Sequence, residues 1–494
     1  MVTLVETTQG ACLGSEADGV FSFKGIPYAQ APFGALRMKP PVPHSGWSGE
    51  RDCTQYGPTV PKGPYPPPFD TLLPEPVIPG EECLNLNIWT PSLTDSNLPV
   101  LVWIHGGAFV NGTGSAEIYS GRNFARDGVV TVTINYRLGP DGFLYLGDGI
   151  SNLGIQDQLL ALKWVQQNIG KFGGDPDKVT VAGESAGAMS VGTLLSMSQS
   201  EGLFRGAIMQ SGAASHWLTP DTAKKVANYL AERLGIEPNR EAFAEVGVDE
   251  LISAYMALSV EAQTIPDPMK WGEIVRNSMI FEPVVDGDLV AAPPLDSLKN
   301  GAGSEVAVLI GTNEQEFNLF TVPAGIYDLV DDNFVNLAAT LYGLGTDAVE
   351  VYRQIFPKVV PGELMGRIAT DWFFRIPAIR LAEARSKVKS STYCYEFRWK
   401  SPLFDGKLGS CHAVEIPFVF DVLDAPMVAD LVGESPSGAT AAVVHKGWVD
   451  FVTNLNPGWD RYDPDTRRVR VFGAPDEVEE DPWSATRRLW HGLR

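Results

Sequence analysis

Cysteine is scarce in this 494-residue chain: there are five, Cys12, Cys53, Cys83, Cys394 and Cys411. The number is odd, the spacings are long and no C-x-x-C pair occurs. That pattern excludes a disulfide framework or a thiolate zinc site, and reads as reduced thiols in a cytoplasmic protein. Cations are also short, with 38 Lys and Arg against 60 Asp and Glu, a net charge of −22. A general nucleic-acid binder needs basic surface to displace phosphate counterions, so that class is excluded. No apolar run approaches the roughly 18 residues of a membrane helix. The opening MVTLVETTQGACLG has no basic stretch followed by a long apolar one, so no secretory signal is read. No internal repeat or Gly/Ser-rich linker separates the halves, and a single catalytic domain over residues 1–494 is expected.

Apolar residues make up 44% of the chain and charged residues only 20%, enough to bury a large core. Short apolar runs alternate with helical patterns through the first half. Val100 to His105, Val129 to Tyr136, Lys178 to Gly183, Gly206 to Ser211 and Val306 to Thr312 read as buried strands. Between them, Ile155, Leu159, Leu162, Val165 and Ile169 recur at helical spacing until Gly173-Gly174-Asp175-Pro176 breaks the pattern. Strands separated by helices predict an α/β fold, a mostly parallel sheet with helices on both faces. Residues 215–300 and 320–390 read as helical insertions over the sheet. Pro58 to Gly80 carries nine prolines and is expected to be an extended surface loop without helix.

The sharpest local signal is Gly183-Glu184-Ser185-Ala186-Gly187. G-x-S-x-G alone is weak, but here it follows a Val-rich strand and opens a helix pattern. That is the setting of a nucleophile elbow, with Ser185 raised above the sheet edge. The second signal, His105-Gly106-Gly107-Ala108-Phe109, ends another strand in a glycine run. Such a turn exposes backbone N–H groups to an oxyanion; the expected donors are Gly107, Ala108 and Ala186.

A serine hydroxyl needs a base, and the chain has six histidines. In an α/β-hydrolase the order is Ser, acid, His. His216 follows Ser185 too closely, His491 lies in the charged tail and His445 sits in a helical pattern. His412 follows the alternating strand TYCYEFRW and is the expected base. The acid stays open at this level among Asp286, Asp288, Glu314, Glu316 and Asp371, the two glutamates standing directly after a strand.

Taken together, these residues resemble the type-B carboxylesterases, especially the bacterial para-nitrobenzyl-esterase-like group, nearly end to end. The resemblance is carried by FKGIPYAQAPFGALRMKPP, EECLNLNIWTP, VWIHGGAF, NYRLG, NIGKFGGDP, VTVAGESAG, MQSGA, GTNEQEF and GSCHAVEIPFVF. It implies the α/β-hydrolase fold and a triad of Ser185, Glu316 and His412. It also implies oxyanion donors at Gly107, Ala108 and Ala186, and support of the triad through hydrogen bonds from Glu184 and Ser211. Relatives outside the cytoplasm often carry a disulfide ending at the position of Cys83. The usual partner position is Val60 here, so that bridge is not expected, and Cys53–Cys83 is the remaining pairing.

The expected activity is hydrolysis of short- to medium-chain and aromatic carboxylic esters through an acyl-enzyme, as in similar actinobacterial enzymes. The alternative is a carbamate or anilide hydrolase using the same triad. Phe109, Trp271, Phe317, Phe320 and Phe373 are candidates for an aromatic pocket wall. No metal or organic cofactor is expected, and the expected partner is a small-molecule ester met by a monomer. A non-enzymatic adhesion protein on this fold is disfavoured because all three triad positions are filled.

Overall fold

The computed structural model describes residues 2–95 and 97–494. Thirteen strands among them join in one twisted sheet. Its centre is a parallel array in the order Val130–Ile134, Leu98–Ile104, Gly174–Glu184, Gly206–Gln210, Ala307–Asn313, Thr392–Phe397 and Arg468–Phe472. Antiparallel strands extend both ends, through Asn85–Thr90 and the N-terminal strands on one side and Val478–Glu480 on the other.

The central strands are rich in Val, Ile and Leu because both of their faces are covered; every residue of Val130–Ile134, Gly206–Gln210 and Ala307–Asn313 is buried. The helix Leu153–Asn168 turns Ile155, Leu159, Leu162 and Val165 inward. After one further short turn, Gly173 at φ +82° ends it, as its sequence requires.

Both predicted insertions are helical. The first contains Pro220–Leu234 and Val248–Thr264, the second Asp332–Leu341, Pro361–Thr370 and Ile376–Ala384. Between the last two lies a π-helical turn, Asp371–Arg375, closed by Arg375 donating to Asp371 at 2.5 Å. The proline-rich loop departs from expectation. It contains one helical turn, Phe69–Leu72, and it folds inward, burying Leu72.

All five cysteines are buried and free. Cys53 has the Cys12 thiol, not Cys83, as its hydrogen-bonding neighbour. No helix of the described residues is long and apolar enough to cross a membrane.

Candidate active site

Every chemically interesting segment leaves the sheet at the carboxyl ends of parallel strands, where open α/β sheets bind ligands. In register, Ile104 stands beside Gly183, Glu184 beside Gln210, and Asn313 beside Phe397. The glycine turn, the elbow and the two loops bearing Glu316 and His412 therefore converge.

The elbow is built by steric exclusion. Ser185 sits at φ 55°, ψ −124°, a conformation that L-residues rarely adopt, and its N–H donates to Gln210 O at 2.9 Å. A side chain at Gly187 would place Cβ 2.0 Å from Ile104 O, and one at Gly183 would stand 2.5 Å from the Gly187 carbonyl carbon. Only glycines let the chain turn this sharply beside its neighbour strand.

The facing turn is equally constrained. Gly107 lies at φ +107° and Ala108 at φ +52°. Asn111 N–H closes the turn on Gly107 O at 2.8 Å. The amides of Gly107 and Ala108 donate to no other group of the described chain. Ala186 is the first residue of the helix Ala186–Leu195, where an N–H has no intrahelical acceptor. Gly106, Gly107, Ala108 and Ser185 border one cavity of about 960 Å³.

His412 also borders that cavity. Its Nδ1 lies 2.7 Å from Glu316 Oε2, and its backbone N–H donates to Glu316 O at 3.1 Å. The other oxygen, Glu316 Oε1, accepts from Asn313 N at 2.7 Å. Of the carboxylates that chain order left open, Glu316 is thus the one in contact with His412. Glu314 faces Lys400 and Arg367, Asp286 accepts from Asn152, and Asp371 binds Arg375. The other buried histidines are occupied elsewhere. His105 stacks on Tyr136, His216 on Phe373 beside Arg494, and His445 lies between Val419 O and Asp127.

Three buried carboxylates surround His412. Burial opposes a charged imidazolium, but Glu184, Glu316 and Glu415 together more than offset it, raising His412 to about 9. Burial raises Glu184 to about 8, opposed by His412 and reinforced by Glu415 and Glu316. Glu184 Oε1 lies 3.0 Å from His412 Nε2 yet makes no hydrogen bond. Glu415 accepts from Gln210 Nε2 at 2.9 Å and from Asn313 Nδ2 at 2.6 Å. Glu415 was not singled out from sequence, although it stands three residues after His412; only its burial marks it.

Other positions need correction. The hydroxyl of Ser211 is buried without a hydrogen-bond partner, so it gives the triad no hydrogen bond. Phe109 turns down onto Phe143, ring centroids 4.9 Å apart, and Trp271 packs on Tyr229 while donating to Ile265 O; neither borders the cavity. Phe317, Phe320 and Phe373 do border it, joined by Phe374, whose ring centroid is 4.7 Å from that of His412. The π turn is what brings both Phe373 and Phe374 to the wall. The proline-rich loop contributes Tyr65, Phe69, Leu72 and Glu75 to the same cavity.

Sheet, elbow and loop order define an α/β-hydrolase, and the comparisons with known proteins carry this further. The model of the carboxylesterase family matches residues 2–482, and the chain belongs to that family. It is 35% identical to the para-nitrobenzyl esterase of Bacillus subtilis, covering 98% of both chains. To the phenmedipham hydrolase of Pseudarthrobacter oxydans it is 33% identical, over 95% of both. Among solved structures, a carboxylesterase of Geobacillus stearothermophilus superposes with a TM-score of 0.87 at 36% identity, covering 99% of this chain and 100% of that one. The fold and enzyme class expected from sequence are those found: a carboxylic ester hydrolase.

Proposed function

We propose that Ser185, His412 and Glu316 form the catalytic triad of a serine esterase for short- to medium-chain and aromatic esters. One observation carries the reading. A strained, cavity-facing serine, two undirected turn amides and a His–Glu pair at 2.7 Å all meet at one sheet edge.

His412 takes the Ser185 proton as the hydroxyl attacks the ester carbonyl. The N–H groups of Gly107, Ala108 and Ala186 receive the oxyanion. His412 then protonates the leaving alcohol, and water repeats the sequence to release the acid. Glu316 fixes the imidazole through Nδ1, leaving Nε2 for the reaction. Where Glu184 is ionised, its charge favours the imidazolium that forms. An aromatic wall of Phe317, Phe320, Phe373 and Phe374 supports acceptance of aryl and modest alkyl groups. The five free thiols support work in a reducing cytoplasm.

The test is hydrolysis of para-nitrophenyl esters from acetate to palmitate, wild type beside Ser185→Ala. Turnover should peak at short chains and fall about 10⁶-fold in the variant. A variant that keeps its rate removes Ser185 from the mechanism, and faster cleavage of palmitate than butyrate removes the short-chain reading. A second reading, carbamate or anilide hydrolysis by the same groups, is favoured by the likeness to phenmedipham hydrolase. Assaying phenmedipham beside the esters tests it.

A further inference from the structure

The proline-rich loop does more than wall the cavity. Lys62 and Glu75, at its two ends, form an ion pair at 3.2 Å with side chains only 4% and 14% exposed. Two charges so buried are costly unless each is fully engaged. Their engagement is with the oxyanion turn. Lys62 Nζ donates to Gly112 O at 3.0 Å; burial pushes the Glu75 carboxyl above its ordinary value, opposed first by Lys62 and then by the Gly112 N–H and the Tyr65 hydroxyl. Beside them, Asn111 Nδ2 donates to Gly63 O at 2.7 Å, and Gly63 N–H is anchored on the Tyr255 hydroxyl at 3.2 Å.

Asn111 and Gly112 form the far leg of the turn that begins at Gly106. Gly112, at φ +101°, is pressed so closely on that beginning that a Cβ would stand 2.2 Å from Gly106 O. Asn111 closes the turn on Gly107 and lies so close to it that a Gly107 Cβ would meet Asn111 O at 2.3 Å. The Lys62–Glu75 pair is thus bonded to Gly112, and its neighbour Asn111 is bonded to Gly107. An oxyanion donor works only where it is held in place before the charge develops, and displacement of a reacting group by about 1 Å can cost roughly a hundredfold.

We infer that the Lys62–Glu75 pair is a positioning clamp for the oxyanion turn, tying the proline-rich loop to Asn111–Gly112. The inference rests on the esterase reading above. Lys62 and Glu75 bond to neither Ser185 nor His412; they act through Gly112, while Asn111 is held by the neighbouring Gly63.

The experiment compares wild type, Lys62→Met, Lys62→Arg and Glu75→Gln with para-nitrophenyl butyrate. It also measures inhibition by an alkyl trifluoromethyl ketone, which forms an oxyanion-bearing adduct with the serine, and by the non-ionised methyl ketone of the same chain. Lys62→Met should lower kcat about ten- to a hundredfold with KM within about threefold. Trifluoromethyl ketone affinity should fall in step with kcat/KM, methyl ketone affinity should hold, and Lys62→Arg should restore most of the rate. Glu75→Gln, which preserves shape, should lose about tenfold in the same pattern and decides the matter if Lys62→Met does not fold. A rise in KM alone, or both ketones losing affinity equally, reduces the pair to a wall anchor and overturns the clamp. Absence of ester turnover in wild type instead overturns the esterase reading itself.

Discussion

The floor and the walls of the cavity are built on different principles. The floor is backbone: Gly183, Gly187 and Gly112 stand where a Cβ would strike a neighbour's main chain or ring, and Ser185 is held in a strained turn by its strand partners. The walls are side chains on helices and a loop: Phe317, Phe320, Phe373, Met365 and Leu341 on one side, Tyr65, Phe69 and Leu72 on another. Steric exclusion fixes geometry to fractions of an ångström and tolerates no substitution. Apolar packing tolerates exchange of similar volumes. The proposed chemistry lies on the first surface and the proposed selectivity on the second.

That contrast can be broken at several points. The largest effect after loss of the nucleophile falls on Glu316→Gln. Its shape is kept, but an amide cannot stabilise the imidazolium, and kcat should drop about 10⁴-fold while circular dichroism stays unchanged. An unaltered rate would hand the role to another carboxylate. Gly187→Ala drives a methyl to 2.0 Å from Ile104 O, a main-chain atom that cannot move aside. It should cost about 1–3 kcal/mol, about 1–3 °C in Tm for a chain of this size, and most of the activity; a stable, active variant would show that the floor yields like a wall.

The pH profile tests the carboxylate ring of Glu184, Glu316 and Glu415. The reaction needs neutral His412, whose proton is held to about 9, above the ordinary value of 6.5. The acidic limb of kcat/KM should therefore lie on the alkaline side of 6.5. Removing a negative charge by Glu184→Gln should move it downward, and a limb that stays put would take Glu184 out of the field at His412. The smallest effect is expected on the walls. Phe373→Ala should shift preference toward longer acyl chains, about tenfold in the ratio of hexanoate to acetate turnover, with acetate itself changed little. A uniform loss at every chain length would place Phe373 with the floor.

Much of this is legible in the sequence. G-x-S-x-G between a strand and a helix singles out Ser185 as the proposed nucleophile, and chain order with few histidines singles out His412 as its proposed base. The acid needed more, because Glu314 and Glu316 are indistinguishable by pattern; the loop turns Glu314 to Lys400 and Arg367 and Glu316 to His412. Pocket aromatics were half legible. Phe317, Phe320 and Phe373 face the cavity, whereas Phe109 and Trp271 look alike in sequence but fill the core behind it. Ser211 ends the expected strand, yet its hydroxyl makes no hydrogen bond.

By itself the sequence determined the alternation of buried strands and helices, the two glycine-dependent turns, and the serine and histidine proposed as nucleophile and base. These follow from local steric rules and chain order, which need no partner from a distant segment. Only the tertiary structure decided which carboxylate meets His412, that Glu415 joins the buried acids, which aromatics see the cavity, and that the proline-rich loop reaches the oxyanion turn. Those contacts join residues far apart along the chain, such as Glu316 with His412 and Lys62 with Gly112. A pairing of that kind is selected by the packing of whole elements, and nothing in the spacing of either partner records it.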